Sequence, residues 1–254
     1  MIASLPMYDW PEVQAHQDRY WQAIRHFLGF GPLELTRGFT DYAAHWLDPD
    51  LLLSQTCGMP YRAYLHGKVT LIGTPDFGLP DNPPAHYHSV LVVNTLADGA
   101  HLSDFMDGIF AYNDGGSQSG WAAAQMHLSQ QGLQATRFME TGGHRASIKA
   151  VAAGHADLAA IDAVTWELAL RYEPAATSLR VIDTTIPTPG LPYICAPGHD
   201  PASLRAAISA AIDSLDASVR AALLLRGLQK IPAPAYLALP VPHPPQADSA
   251  ALIQ

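Results

Sequence analysis

Short apolar runs alternate along the chain with longer segments in which apolar residues recur at helical spacing. The runs at Leu51–Leu53 and Ser89–Asn94 are nearly unbroken, which is typical of strands that are buried on both faces. Trp21, Ile24 and Leu28 instead recur at steps of three and four residues, which is the spacing of one helix face. Strands that alternate with helices indicate βα units around a parallel or mixed sheet. The sequence therefore predicts an α/β fold.

The predicted elements account for most of the 254 residues, of which 48% are apolar, enough for one large domain or two lobes of ordinary size. Strands are predicted at Ile2–Leu5, Leu51–Ser54, Val69–Gly73, Ser89–Asn94, Ile109–Asn113, Arg137–Glu140, Asp157–Ile161 and Leu191–Ala196. Helices are predicted from about Pro11 to Leu28 and at Ser117–Gln130, His144–Ala153, Ala163–Arg171, Pro201–Leu215 and Val219–Leu228. A proline-rich tail from Pro232 to Pro245 is expected to lie extended over the surface.

The charge balance argues against nucleic acid as a partner. The formal net charge is −9 and no basic cluster stands out, whereas affinity for a phosphate backbone needs a concentrated basic footprint. The two cysteines, Cys57 and Cys195, lack the spacing of a metal or redox motif, and we expect them to be buried free thiols.

The N-terminal segment lacks the regions of a secretion signal, and no run approaches the roughly 20 apolar residues that span a bilayer. We therefore expect no membrane insertion. Either the chain is cytoplasmic as it stands or a leader has been removed, and the sequence leaves both alternatives open.

Glycine and hydroxyl residues cluster where a predicted strand ends and a helix begins, in the letters AYNDGGSQSGW of Ala111–Trp121. Backbone N–H groups at such a helix start are unpaired and can bind an anion. Ser117 and Ser119 can add hydroxyl donors and Gln118 an amide, while Gly120 lets a ligand approach the backbone. The segment predicts an oxyanion site that needs no lysine. A simple helix cap at Ser117 is the alternative.

A second helix start, Thr141–Ser147, places His144 in the first turn of the next predicted helix. Its imidazole can donate a hydrogen bond to an anion either protonated or neutral. Asp162 ends a later strand and is either the cap of the following helix or an acceptor for an amine or hydroxyl of the ligand.

The order SQSG, followed by GGHRASIKAVAAGHADLAAIDAVTWE, resembles the second lobe of the phosphate, phosphite and phosphonate substrate-binding proteins of ABC transporters. In that family a serine-rich SxSG loop and a G-[SG]-H helix start contact the phosphorus oxyanion. The similarity extends from Ile2 to about Leu228, and the family often has threonine where Gln118 stands. The residues that the resemblance implies in oxyanion binding are Ser117, Gln118, Ser119 and His144, with Asp162 near the ligand's substituent.

The resemblance also implies residues of the first lobe. Tyr8 would contact the ligand from the loop after the first strand, although an ordinary half-buried tyrosine is the alternative. Ser54, Gln55 and Thr56 would contribute from a strand end, where open α/β sheets usually bind ligands. Tyr87 precedes the strand expected to cross between lobes and would be a hinge or cleft residue.

The implied fold is the two-lobed type 2 periplasmic-binding-protein fold, in which each lobe is a mixed, mostly parallel sheet flanked by helices. The first lobe would comprise residues 1–90 and 190–254, including the tail from about 232, and the second 91–189. The implied partners are a small-molecule anion and an ABC permease, and the implied state is a monomer without cofactor. If a leader was removed, the location would be periplasmic.

Three other functions remain open at this point. An enzyme on the same fold is one, although no GxSxG elbow is present. Metal binding is suggested by His86 and His88, but two ligands do not make a zinc site. A cytoplasmic ligand sensor is the third, and the lack of a separate helix-turn-helix segment means that direct DNA regulation would need a partner.

Overall fold

The computed structural model describes residues 1–244 and contains strands and helices in alternation. The strands are β1 Ile2–Ala3, β2 Leu51–Gln55, β3 Thr70–Asp76, β4 His86–Tyr87, β5 Ser89–Asn94, β6 Ile109–Tyr112, β7 Arg137–Glu140, β8 Leu158–Asp162, β9 Leu179–Thr184, β10 Thr188–Pro189, β11 Tyr193–Cys195 and β12 Gly227–Gln229. The helices are α1 Gln14–Leu28, α2 Tyr42–Trp46, α3 Gly58–Pro60, α4 Ala123–Gln130, α5 His144–Ala152, α6 Ala163–Tyr172, α7 Pro201–Ser214, α8 Ala217–Ala222 and α9 Ala233–Leu237. Short 3-10 turns lie at Pro6–Tyr8, Leu102–Phe105 and Pro174–Ser178, and π-helical turns at Tyr61–Leu65 and Gln118–Ala122. The predicted α/β class is confirmed.

The chain forms two compact units. Unit 1 comprises residues 1–88, 163–168 and 187–239. Unit 2 comprises 89–162 and 169–186, together with the chain from 240 onward, which the structure describes as far as 244. The lobes proposed from the sequence differ from these units mainly in two segments, 163–168 and 240–244, each of which groups with the other unit.

The sheet of unit 1 has five strands in the order β1-β2-β11-β3-β12. β1 pairs parallel with β2, whereas β11 runs antiparallel to both of its neighbours and β12 antiparallel to β3. The leucines of β2 are fully buried, as the unbroken apolar run predicts for a strand covered on both faces. β4 and β10 form a separate antiparallel pair in the same unit.

Helix α1 begins three residues later than the sequence predicts. Residues Pro11 to Val13 form a turn in which the Val13 N–H donates to the Trp10 carbonyl, and the α-helix starts at Gln14. Its end is the predicted one, because Gly29 adopts φ +77° and its N–H binds the Arg25 carbonyl. A left-handed residue at this position is most readily a glycine.

The sheet of unit 2 has five strands in the order β7-β6-β8-β5-β9. β7, β6 and β8 run parallel, and β5 lies antiparallel between β8 and β9. The adjacent strands β5 and β8 are mostly apolar and buried. The second-lobe site residues proposed from the sequence follow β6 and β7 along the chain or, in the case of Asp162, end β8.

The last predicted helix is shorter than the sequence predicts. The helix predicted over Val219–Leu228 ends at Ala222, because Leu224 adopts φ +58° and residues 227–229 become β12 along the edge of β3. Strand pairing there overrides the local helical pattern.

The tail is extended only in part, because α9 forms within it and buries Tyr236 completely. Residues 240–244 lie against unit 2, and the rest of the tail lies outside the described residues. Both cysteines are free, as expected, but only Cys195 is buried, and Cys57 is partly exposed. None of the described helices is long and apolar enough to cross a bilayer.

Candidate functional site

The loop after β6 is closed by hydrogen bonds of its own residues, and we call Asp114–Ala122 the serine turn. Asp114 Oδ1 accepts from the Gly116 N–H at 2.6 Å, and Ser117 Oγ accepts from the Gly120 N–H at 3.0 Å. The Ser117 carbonyl accepts from the Ala122 N–H, five residues later, which makes the first turn π-helical. Ser117 is therefore the N-cap of this helix. The N–H groups of the first helical turn lie at the N-terminal end of a helix, which is the end that can bind an anion.

Ser119 and His144 lie together although they start different helices. Ser119 Oγ is 2.9 Å from His144 Nε2 and 3.5 Å from Ser117 Oγ. Gln118 is buried in the same turn. The structure therefore brings four of the residues proposed from the sequence into one cluster within unit 2.

The start of α5 is held by the loop that precedes it. Gly142 has φ +79°, a conformation that favours glycine, and Gly143 caps the helix with extended backbone. Thr141 Oγ1 lies 2.7 Å from Ser147 Oγ and 3.0 Å from the Tyr112 carbonyl oxygen. This loop thereby connects the first turn of α5 to the end of β6.

His144 is neutral at physiological pH. Burial lowers its pKa from 6.5 to about 4, and this outweighs the opposing effect of the Ala160 backbone. Its Nδ1 atom is shielded from solvent. The choice between a protonated and a neutral donor, left open by the sequence, thus falls on the neutral imidazole.

This neutral state predicts that the protein loses stability when the pH falls from about 6.5 towards 4. In that window the unfolded imidazole binds a proton and the buried one does not, so the unfolded state gains protons and the free energy of unfolding falls. We expect a loss of about 2 kcal/mol from this group at pH 4.5. Urea unfolding of the wild type and of His144→Gln at pH 7 and pH 4.5 measures it.

The His144→Gln protein is the control, because all other titrating groups are the same in the two chains. The difference in unfolding free energy between them should shrink at the lower pH. An equal difference at both pH values would contradict the neutral assignment.

Asp162 lies on the strand next to Ser89, which contacts the serine turn. Asp162 ends β8 and is opposite Ser89 in the β5–β8 register. Ser89 Oγ donates to the Ser119 carbonyl oxygen at 2.9 Å. Asp162 is 2% exposed, so it is buried opposite a residue that contacts the serine turn.

In unit 1, the structure brings together only two of the proposed residues. Tyr8 and Gln55 line one small cavity with Gln17, Tyr20 and Tyr193. The cavity has room for about one water molecule. Burial raises the pKa of the Tyr20 hydroxyl and that of the Tyr193 hydroxyl, so both phenols are neutral.

Ser54 belongs to a buried hydrogen-bond chain instead. Ser4 Oγ lies 2.8 Å from Ser54 Oγ and 2.7 Å from His45 Nε2, and burial lowers the pKa of His45. Thr56 is also fully buried, and its N–H donates to the Pro192 carbonyl. These contacts hold the end of β2 to its neighbours.

Tyr87 lies on β4 opposite Thr188 and is buried. The neighbouring imidazoles have separate partners, since His86 Nδ1 donates to the Pro84 carbonyl and His88 Nδ1 contacts the Asn82 amide. Among residues 1–244 no group of three metal-ligating side chains is found.

Sequence reasoning missed several residues that shape the cluster. Ser89 contacts the Ser119 carbonyl. It is a polar residue at the start of a predicted apolar strand, and this position could have indicated a role in the site. Thr141 was included in the helix-start segment without a role. Trp121 and Asn113 carry no sequence signal beyond their position beside the glycines.

A family model and several solved structures match this chain. The family model described as "ABC transporter, phosphonate, periplasmic substrate-binding protein" matches residues 55–232, which is most of the chain. No curated protein sequence matches.

Several solved structures share the fold. PhnD1 from Prochlorococcus marinus, in complex with methylphosphonate, is 17% identical with a TM-score of 0.73, over 92% of this chain and 93% of that chain. A binding protein component of the ABC phosphonate transporter from Pseudomonas aeruginosa is 16% identical, with a TM-score of 0.67 over 90% and 80%. MatC from Rhodopseudomonas palustris, with bound malate, is 15% identical, with a TM-score of 0.64 over 90% and 89%. The periplasmic-binding-protein fold expected from the sequence is confirmed.

Proposed function

Because the chain belongs to the periplasmic substrate-binding proteins of phosphonate ABC transporters, we propose that it binds a small oxyanion of the phosphate, phosphite or phosphonate class. The family is the substrate-binding component of a transporter and not an enzyme, so a small-molecule ligand and a permease partner follow from membership. The observation that carries the ligand class is the Ser119–His144 pair, which joins two helix starts at 2.9 Å.

The donors that we propose for the ligand carry no formal charge. They are the first-turn amides of two helices, the Ser119 hydroxyl and the neutral His144 imidazole. Each helix start nonetheless bears about half a positive charge, which favours an anion. Since every ligand oxygen must find a donor, such a site selects by hydrogen-bond geometry. A compact tetrahedral oxyanion suits it well.

The remaining proposed residues have less support from geometry. Asp162 is the candidate acceptor for a hydroxyl or amine on the ligand's substituent. In unit 1, Tyr8 and Gln55 remain candidate contacts because they line one cavity, whereas the Ser54 hydroxyl is already bonded to Ser4. Thr56 and Tyr87 remain proposals from the resemblance alone.

Family membership supports a periplasmic location, and we take a monomer that binds no nucleic acid as the working state.

Replacing Ser119 or His144 by alanine is expected to weaken oxyanion binding by roughly 1 to 3 kcal/mol, because each change removes a buried donor. Phosphate, phosphite and methylphosphonate are first ranked by the rise in melting temperature of the wild type. Isothermal titration of the best of them against each variant then gives the affinity.

Ser129→Ala and His155→Ala are the matched controls, because both residues are exposed in unit 2 and neither belongs to the cluster. They should bind as the wild type does. If only an amine or a carboxylate raises the melting temperature, the oxyanion class is wrong while the family remains. If an oxyanion binds but Ser119→Ala and His144→Ala bind it normally, the site lies elsewhere.

A further inference from the structure

The described end of the tail lies directly on the serine turn. Trp121 Nε1 donates to the His243 carbonyl oxygen at 3.0 Å. At Gly115, a Cβ atom would stand only 2.5 Å from Pro244 Cβ, so a larger residue there would displace the tail. Two independent contacts therefore join Pro240–Pro244, which belongs to unit 2, to the two ends of one turn.

Trp121 makes the first contact from inside the turn that carries Ser119. It is 3% exposed, and its ring packs on Tyr112 and Phe138 at centroid distances of 5.0 and 5.2 Å. A buried indole N–H requires an acceptor, and the acceptor here is the tail. The aromatic contacts hold one side of the indole, and the His243 carbonyl fixes its polar edge.

Gly115 makes the second contact from the part of the turn that sets the Ser117 cap. It lies between Asp114, which accepts from the Gly116 N–H, and Ser117, whose own N–H donates to the Asp114 carbonyl. A segment pressed against Gly115 restricts the backbone that leads into the cap. The same backbone determines where the first-turn amides point.

The composition of the segment favours docking at low entropic cost. Pro240, Pro242 and Pro244 alternate with Val241 and His243. Each proline fixes its own φ and biases the preceding residue to extended backbone. The segment therefore has little conformational freedom to lose when it binds.

We propose that Pro240–Pro244 is a strap that holds the serine turn in its binding geometry, with Trp121 as the positioning residue. The inference rests on the proposed function for its effect on affinity. It assigns a role to a segment that the sequence resemblance leaves unmatched. Without the strap the turn must be ordered by the ligand itself, and affinity falls accordingly.

The test compares the full chain with chains that end at Leu239 and at Pro244. The chain ending at Leu239 lacks the strap, and we expect it to bind methylphosphonate about 5- to 30-fold more weakly. The chain ending at Pro244 keeps the strap and should bind as the full chain does. Trp121→Phe in the full chain keeps the aromatic packing, removes the hydrogen bond to His243, and should weaken binding about 3- to 10-fold.

Hydrogen exchange of the free protein supplies a measurement that general destabilisation would not reproduce. Removal of the strap should accelerate exchange of the amides of residues 114–122 and leave those of β5 unchanged. Equal acceleration in both places would overturn the inference, as would unaltered exchange in the turn. Unaltered affinity in both the Leu239 chain and Trp121→Phe would also overturn it.

The two proposals fail in different ways. If the full chain binds no oxyanion, the proposed function fails, and exchange in the serine turn alone decides the strap. If the full chain binds methylphosphonate and loss of the strap changes neither measurement, the strap fails and the proposed function stands.

Discussion

Replacing Gly120 with alanine is expected to weaken oxyanion binding by roughly 3 to 5 kcal/mol, since it disturbs two or more donors at once. A Cβ atom on Gly120 would overlap Asn113 Oδ1 and lie 3.2 Å from His144 Cε1. Asn113 Oδ1 is itself buried, so the turn must move. Movement breaks the hydrogen bond from the Gly120 N–H to Ser117 Oγ and displaces Ser119. Isothermal titration with methylphosphonate measures the loss.

A second substitution tests the cause. Asn113→Ala removes the overlapping oxygen, so the double variant Gly120→Ala with Asn113→Ala should recover most of the lost affinity, while Asn113→Ala alone should bind nearly normally. Wild-type affinity in Gly120→Ala would show that the serine turn does not constrain the ligand. Failure of the double variant would assign the damage to the contact with His144.

The largest loss of stability is expected from Tyr236→Ala, at about 3 to 5 kcal/mol. Tyr236 is fully buried, and its ring packs edge-on against Tyr61 at 5.4 Å. Its hydroxyl lies 2.6 Å from Thr74 Oγ1 and donates to the Gly190 carbonyl at 3.0 Å. Alanine leaves a cavity and removes both hydrogen bonds. Urea unfolding at pH 7 gives the change.

Two further variants separate these contributions. Tyr236→Phe keeps the ring and removes only the hydroxyl, so it should lose about 1 to 3 kcal/mol. Leu237→Ala alters the neighbouring exposed residue of α9 and should change stability by less than about 0.5 kcal/mol. Equal losses in Leu237→Ala and Tyr236→Ala would mean that α9 is not part of the core of unit 1.

The sequence predicts best those strands that are apolar on both faces. Ser89–Asn94 is predicted with its observed limits, because a run of valine and leucine leaves few alternatives. The helix start at His144 is also located correctly, since Gly142 and Gly143 interrupt the preceding strand pattern.

Elements that form through contacts with distant parts of the chain cannot be predicted from local sequence patterns. β12 forms only because β3 offers an edge, and the local pattern predicts its first two residues, Gly227 and Leu228, as the end of a helix. α9 forms within a proline-rich segment because Tyr236 finds a buried site beside Tyr61 and Thr74. No spacing within the tail contains that information.

The residues of the candidate site also differ in whether the sequence alone could indicate their role. Ser119 and His144 could be proposed because both lie beside glycines at predicted helix starts, in segments that resemble those of a known family. The network of Ser54 with Ser4 and His45 could not, because it depends on the pairing of β1 with β2 and on the position of α2. A polar residue at a strand end can equally well hold the interior together.

The strand order of unit 2 also bears on how the protein is made. β5 is synthesised first but lies between β8 and β9, which are the last two strands of that sheet to leave the ribosome. The serine turn therefore emerges before the strand β8 that supports it, and contacts between such distant segments form slowly. A chain truncated before Leu158 would lack the strand that pairs with β5 and β6, so we expect the serine turn to reach its final arrangement only late in folding.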